Sequence, residues 1–142
     1  MLSWSLVAVQ FLALALIALT GPLIATPWPL LVVELAGFAL LGWALWSLRR
    51  SPPHVVPDVR PQATLQIGGP YRWMRHPMYS ALLLITLPLV VAAPSWLRAA
   101  IWLLLLANLN TKLKYEEQLL MARFPEYAAY RKTSWRLIPF VY

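Results

Sequence analysis

The sequence predicts an all-α integral membrane protein with about four transmembrane helices, a cytoplasmic loop and cytoplasmic C-terminal helices. Three observations carry that expectation. Apolar residues make up 61% of the 142-residue chain and charged residues only 12%, against roughly 45 to 50% apolar usage in soluble domains. Four apolar stretches approach the length of a membrane crossing. Eleven of the twelve Lys and Arg residues, all but Arg98, fall in two polar segments, 49–76 and beyond Leu109.

The first apolar stretch runs from Leu2 to Thr20. It has no basic residue before it, and Pro27 and Pro29 stand where a signal peptide would carry a small-residue cleavage site, so it reads as a retained helix. The second runs from Leu30 to Leu48 and the third from Met78 to Ala93, where Pro88 is expected to kink the helix because proline removes a backbone donor. The fourth runs from Trp96 to Leu109, and Pro94 and Ser95 separate it from the third. The third and fourth are short for a 30 Å core at about 1.5 Å rise per residue. The polar tail is expected to be helical from about Thr111 to Phe124, with Pro125 as the breaker and a second short helix from Glu126 to Lys132.

The positive-inside rule puts both basic segments on the cytoplasmic face. Two crossings separate them, which returns the chain to the same side, so both termini are expected inside after four crossings. Arg98 lies near a helix end from which it can snorkel. Glu34 reads as interfacial or structural, Gln10 as a hydrogen-bonding partner of a neighbouring helix, and Asn108 and Asn110 as helix-end caps. His54 reads as a solvated loop residue.

Composition also excludes chemistry. The chain has no Cys, which removes disulfides, thiolate metal sites and cysteine nucleophiles. Two His and five acids leave little for a metal site, and no P-loop or G-x-G-x-x-G sequence is present. No metal is expected, and any cofactor is organic. The net charge of +7 is assigned to anionic lipid headgroups rather than to nucleic acid. Ser80, His76 and Asp58 have no spacing that makes them a triad.

Two polar groups converge on the cytoplasmic face. One is Gly68 to Tyr79, in which Pro77 suits the first turn of a helix and His76 its cap. The unpaired N–H groups of that turn make a seat for a carboxylate. The other holds Glu116, Glu117, Phe124-Pro125-Glu126-Tyr127, Tyr130-Arg131 and Arg136 to Pro139.

The run Gly69-Pro70-Tyr71-Arg72-Trp73-Met74-Arg75-His76-Pro77-Met78-Tyr79, joined to Glu116-Glu117-Gln118-Leu119-Leu120 and Phe124-Pro125-Glu126-Tyr127, resembles the C-terminal signature of the isoprenylcysteine carboxyl methyltransferases and related phospholipid methyltransferases. The resemblance covers about the last 80 residues. It implies S-adenosylmethionine as cofactor, with contacts from Thr64, Leu65, Gln66, Tyr71, His76, Pro77, Met78, Tyr79 and Glu116. It also implies a single methyltransferase domain over 1–142, with an N-terminal helix pair at 1–48 and the cofactor-binding core at 49–142.

Lys112 falls where the eukaryotic enzymes have an arginine that helps hold the substrate carboxylate. A lysine keeps the charge and loses the bidentate fork. Lys112 is therefore one candidate catalytic residue, and Tyr79 is the other, since an amine or thiol acceptor would have to lose a proton and Tyr79 or His76 could take it. Ala81 and Pro125 stand where many relatives have glycine. The implied partner is a lipid or hydrophobic small molecule in the membrane, with a carboxylate, amine or thiol as acceptor. The alternatives are a non-catalytic membrane subunit whose basic face binds a protein or anionic lipid, and a nicotinamide-dependent membrane reductase.

Overall fold

The computed structural model describes residues 2–49 and 65–142. Thr64, His54 and Asp58, singled out above, lie outside the described residues, as do Arg50 and Arg60 of the first basic segment. Within these residues the fold is all helix: α1 (Leu2–Leu19), α2 (Trp28–Ser47), a 3-10 turn (Gly69–Arg72), α3 (Pro77–Ala92), α4 (Trp96–Arg123) and α5 (Tyr127–Thr133). No strand is present among the described residues, and the sole extended pairing there is an isolated parallel bridge between Met74 and Trp135.

The first three apolar stretches become helices within two residues of their expected bounds. The fourth differs. Span and tail helix are one continuous α4, since neither Pro nor Gly interrupts 96–123 and the change in hydropathy at Leu109 does not break a backbone ladder. Ser95 caps α4 by accepting the Arg98 N–H at 3.2 Å, an N-cap arrangement favoured by serine. Asn108 is no cap: its amide donates to the Leu6 carbonyl at 3.0 Å and ties α4 to α1. Asn110 accepts the Tyr142 hydroxyl at 2.9 Å.

The helices pack as two pairs, α1 with α4 and α2 with α3. In α4, Ile101, Leu105, Leu109 and Leu113 recur every fourth residue and form a buried stripe. It meets Ala13 and Ile17 of α1 and Leu89 of α3 in the hydrophobic core. Gly37 allows α2 and α3 to close, because a Cβ there would stand 2.9 Å from the backbone nitrogen of Ile85. Pro88 lies within α3.

Arg98 does not snorkel. It is 2% exposed, and its guanidinium donates to the carbonyls of Ile17 at 2.9 Å and Leu89 at 2.6 Å and to the Thr20 hydroxyl at 3.0 Å. These acceptors replace water and fasten three helix ends together. Glu34, also buried, accepts the Ala25 N–H at 2.8 Å, in keeping with a structural role.

By length and composition one described helix, Trp28–Ser47, is long and apolar enough to cross a membrane; Trp4–Leu19 and Pro77–Ala92 are apolar but shorter.

Candidate active site

The site is built around the start of α3. The 3-10 turn turns the chain beneath α2, with Gly69 at a φ of +61° that side-chain-bearing residues rarely adopt. A Cβ at this position would also collide with the Ser47 hydroxyl. Pro70 and Tyr71 are buried by this turn. His76 caps α3 and Pro77 occupies its first turn, as the sequence predicts. The Tyr79 and Ser80 N–H groups both donate to the His76 carbonyl. Pro77 has no N–H, so the expected carboxylate seat narrows to the N–H of Met78.

The C-terminal tail closes the other side. The Arg75 N–H donates to Trp135 O at 2.7 Å, the His76 N–H to Arg136 O at 3.0 Å and the Trp135 N–H to Trp73 O at 3.0 Å. Ser80 donates its hydroxyl to Leu137 O at 2.6 Å, and the Tyr130 hydroxyl donates to Tyr71 O. α5 and the residues after it are thereby held against 71–80.

Between these walls, Glu116 and Glu117 project from α4. The Tyr79 hydroxyl donates to Glu116 Oε1, and Glu116 Oε2 is 3.4 Å from His76 Nδ1. The His76 and Tyr79 rings lie parallel with centroids 5.5 Å apart. Lys112, one helical turn before Glu116, places Nζ 5.3 Å from the centroid of the Tyr79 ring, a cation–π geometry. The same ammonium donates to Gln10 Oε1 of α1 at 2.9 Å, the interhelical partner expected for Gln10.

Tyr71, His76, Tyr79, Lys112 and Glu116 thus come together, with Pro77 and Met78 setting the helix start. Leu65 and Gln66 are half-buried ahead of the turn, and no hydrogen bond joins them to this cluster among the described residues.

Arg75, Glu117 and Arg136, which the sequence places in the two polar segments without pairing them, form an ion-paired cluster. Glu117 is buried and pairs with Arg75 Nε at 2.7 Å, Arg136 Nε at 3.2 Å and His76 Nε2 at 3.6 Å. Arg75 further donates to the carbonyls of Ser134 and Arg131. The available signal was the doublet Glu116-Glu117: adjacent helical residues point about 100° apart, so one carboxylate can face Tyr79 while the other faces the tail.

Burial alone would raise the Glu117 carboxyl, but hydrogen bonds and charge from His76 and Arg75 outweigh it and hold it at about 2. Burial opposes protonation of His76, and the two carboxylates reverse that and raise its pKa above 6.5. Desolvation, with the Tyr130 and Glu116 charges adding to it, pushes the Tyr71 phenol up, so it stays neutral.

The arrangement is a largely buried cluster at the start of α3, with a carboxylate, a phenol and an ammonium converging on one side and an ion-paired tail on the other. Residues 30–122 match the model of the isoprenylcysteine carboxyl methyltransferase family. This match covers more than half of the chain, and the protein belongs to that family of methyltransferases. No curated protein matches the chain.

Proposed function

We propose that the protein is a multi-pass membrane enzyme that transfers a methyl group from S-adenosylmethionine to a hydrophobic or lipid-linked acceptor, with its active site on the cytoplasmic face. The observation that carries this reading is the convergence of Tyr79 and His76 on Glu116, which joins two segments of the family signature across 37 residues. When bound, S-adenosylmethionine supplies an electrophilic methyl group on a sulfonium.

The residues of the cluster suit that cofactor. The Glu116 carboxylate, with a partly open side chain, accepts an ammonium or ribose hydroxyls. The Met78 N–H takes a carboxylate at the start of α3. The face of Tyr71 suits an adenine or a sulfonium. Lys112 is assigned to the acceptor, because an ammonium repels a sulfonium and attracts an anionic nucleophile.

The work of the protein is alignment and exclusion of water. Tyr79 is held by Glu116 at its hydroxyl and by Lys112 at its face, so its ring is fixed beside the point where cofactor and acceptor would meet. A carboxylate acceptor is already ionised near neutral pH and needs no base. Of the acceptor classes, a lipid-linked carboxylate best suits the buried Lys112, ahead of a phospholipid amine or a thiol. The exposed apolar side chains of α1, α2 and α4, among them Trp4, Phe11, Trp28, Phe38 and Leu103, support a lipid environment.

Calorimetry of S-adenosylmethionine with the detergent-purified chain tests the assignment. Saturable binding is expected, weakened about tenfold or more, some 1.4 kcal/mol, in folded Glu116→Gln and His76→Ala variants. Absence of binding by the folded wild type would overturn the reading in favour of a non-catalytic membrane subunit.

A further inference from the structure

On the far side of α4 from Lys112 and Glu116 lies a second recess. It has a volume of about 460 Å³ and is lined by Lys114, Glu117, Gln118, Met121, Arg131 and Arg136. At about 100° per residue, Lys114, Gln118 and Met121 share a helix face roughly opposite that of Lys112 and Glu116. The recess therefore opens on a different face of α4 from Lys112 and Glu116, and Glu117 and Arg136 stand between the two.

Its charge is unbalanced. The single carboxylate in the lining, Glu117, is already shared by Arg75 at 2.7 Å and Arg136 at 3.2 Å. Lys114 and Arg131 have no carboxylate partner among the described residues, and both side chains are exposed. Converging cations of this kind repel one another unless an anion lies between them. Arg131 brings a planar fork matched to phosphate oxygens, Lys114 a mobile point charge, and Gln118 an amide suited to hydroxyls.

Depth selects the anion, on the reading that α4 crosses the membrane with its C-terminal end inside. Lys114 lies five residues beyond Leu109, the last residue of the apolar run, or about 7.5 Å along the helix. One leaflet's headgroup layer is roughly 5 to 7 Å thick. Lys114 then stands at the outer edge of that layer, from which its long side chain reaches back to the lipid phosphates, and Arg131 lines the same recess from the tail.

We propose that this recess binds the phosphate of an anionic phospholipid headgroup, which bridges Lys114 of α4 to Arg131 of the tail. The occupant is a membrane lipid rather than a free anion, because the recess opens at the headgroup level and the counter-charge there is supplied by the leaflet. Such a lipid fastens the tail that closes the active site without entering that site.

The test titrates short-chain phosphatidylglycerol into the full chain in a neutral detergent, beside short-chain phosphatidylcholine and inorganic phosphate. It is run on wild type and on the double variant Lys114→Gln, Arg131→Gln, with circular dichroism to confirm the fold. Phosphatidylglycerol is expected to bind at least about tenfold tighter than phosphatidylcholine, and the double variant to lose that preference. S-adenosylmethionine affinity is expected to be equal in both proteins.

Equal affinity for the two lipids, or a preference that survives in the folded double variant, overturns the proposal. Inorganic phosphate binding as tightly as phosphatidylglycerol overturns the lipid assignment. Loss of S-adenosylmethionine affinity in the double variant overturns the separation of the two sites. A lipid preference in a protein that binds no S-adenosylmethionine leaves this proposal standing and removes the methyltransferase reading alone.

Discussion

Among single residues, Gln10 and Lys112 make the least expected contact. Lys112 is 3% exposed, Gln10 is 7% exposed, and they meet at 2.9 Å although 102 positions separate them in sequence. An ammonium in such surroundings needs every acceptor it has. Gln10→Leu is expected to cost about 1.5 to 3 kcal/mol, the range for a hydrogen bond to a charged group. Lys112→Met in the same chain should recover part of that cost, because the apolar pair leaves no stranded charge. Unfolding of both single variants and the double variant in detergent completes the cycle, and strictly additive effects would deny the coupling. Gln10 read correctly from sequence as an interhelical donor or acceptor, since polar residues in a span rarely have any other outlet. Its partner was not legible. Arg98 was misread for a related reason: a sequence indicates that a residue lies near a helix end, but not that the ends of α1, α3 and α4 meet around it.

At the level of elements, the Tyr71–Tyr79 segment was legible because Pro77 and His76 announce a helix start by local chemistry. The attachment of the tail was not, because Arg75, Glu117 and Arg136 become neighbours only after α4 is laid beside α3. That attachment carries a pH dependence whose two limits have opposite sign. The carboxyl of Glu117 is depressed from 4.5 to about 2, so its stabilisation is complete above pH 4.5 and drains as pH falls toward 2. His76 is raised from 6.5, so its contribution is complete below pH 6.5 and is lost as pH rises through the folded-state value. The tail is therefore expected to be held most firmly between about pH 4.5 and 6.5. Hydrogen exchange of α5 amides, corrected for intrinsic rates, should be slowest in that window and faster on either side. Exchange that is flat across the range would mean that the ion-pair cluster does not hold the tail.

Considered as a whole, the molecule supports the proposed lipid setting through its composition more plainly than through its helix lengths. The 18 residues of α1 and 16 of α3 span about 27 and 24 Å at 1.5 Å per residue, short of a 30 Å core, whereas the 20 residues of α2 suffice. Short spans are accommodated by local thinning and by flanking side chains that reach the interface, at fractions of a kcal/mol per Å. The pairing of α1 with α4 and α2 with α3 gives each short helix a neighbour in that layer. A four-crossing arrangement with both termini inside makes a sharp prediction, and the absence of cysteine from the chain makes it simple to test. Single cysteines at Thr26 and Pro94, both exposed in the connections after α1 and α3, should react with a membrane-impermeant maleimide added outside intact cells. A cysteine at Lys132, exposed in α5, should react only after permeabilisation. The first two sites lie at one end of the helix pairs and the third at the other, as four crossings require, whereas a chain crossed by α2 alone would have Thr26 before the crossing and Pro94 after it, with opposite accessibility. Labelling of Thr26 and Pro94 alike, with Lys132 protected, is the outcome that four crossings require.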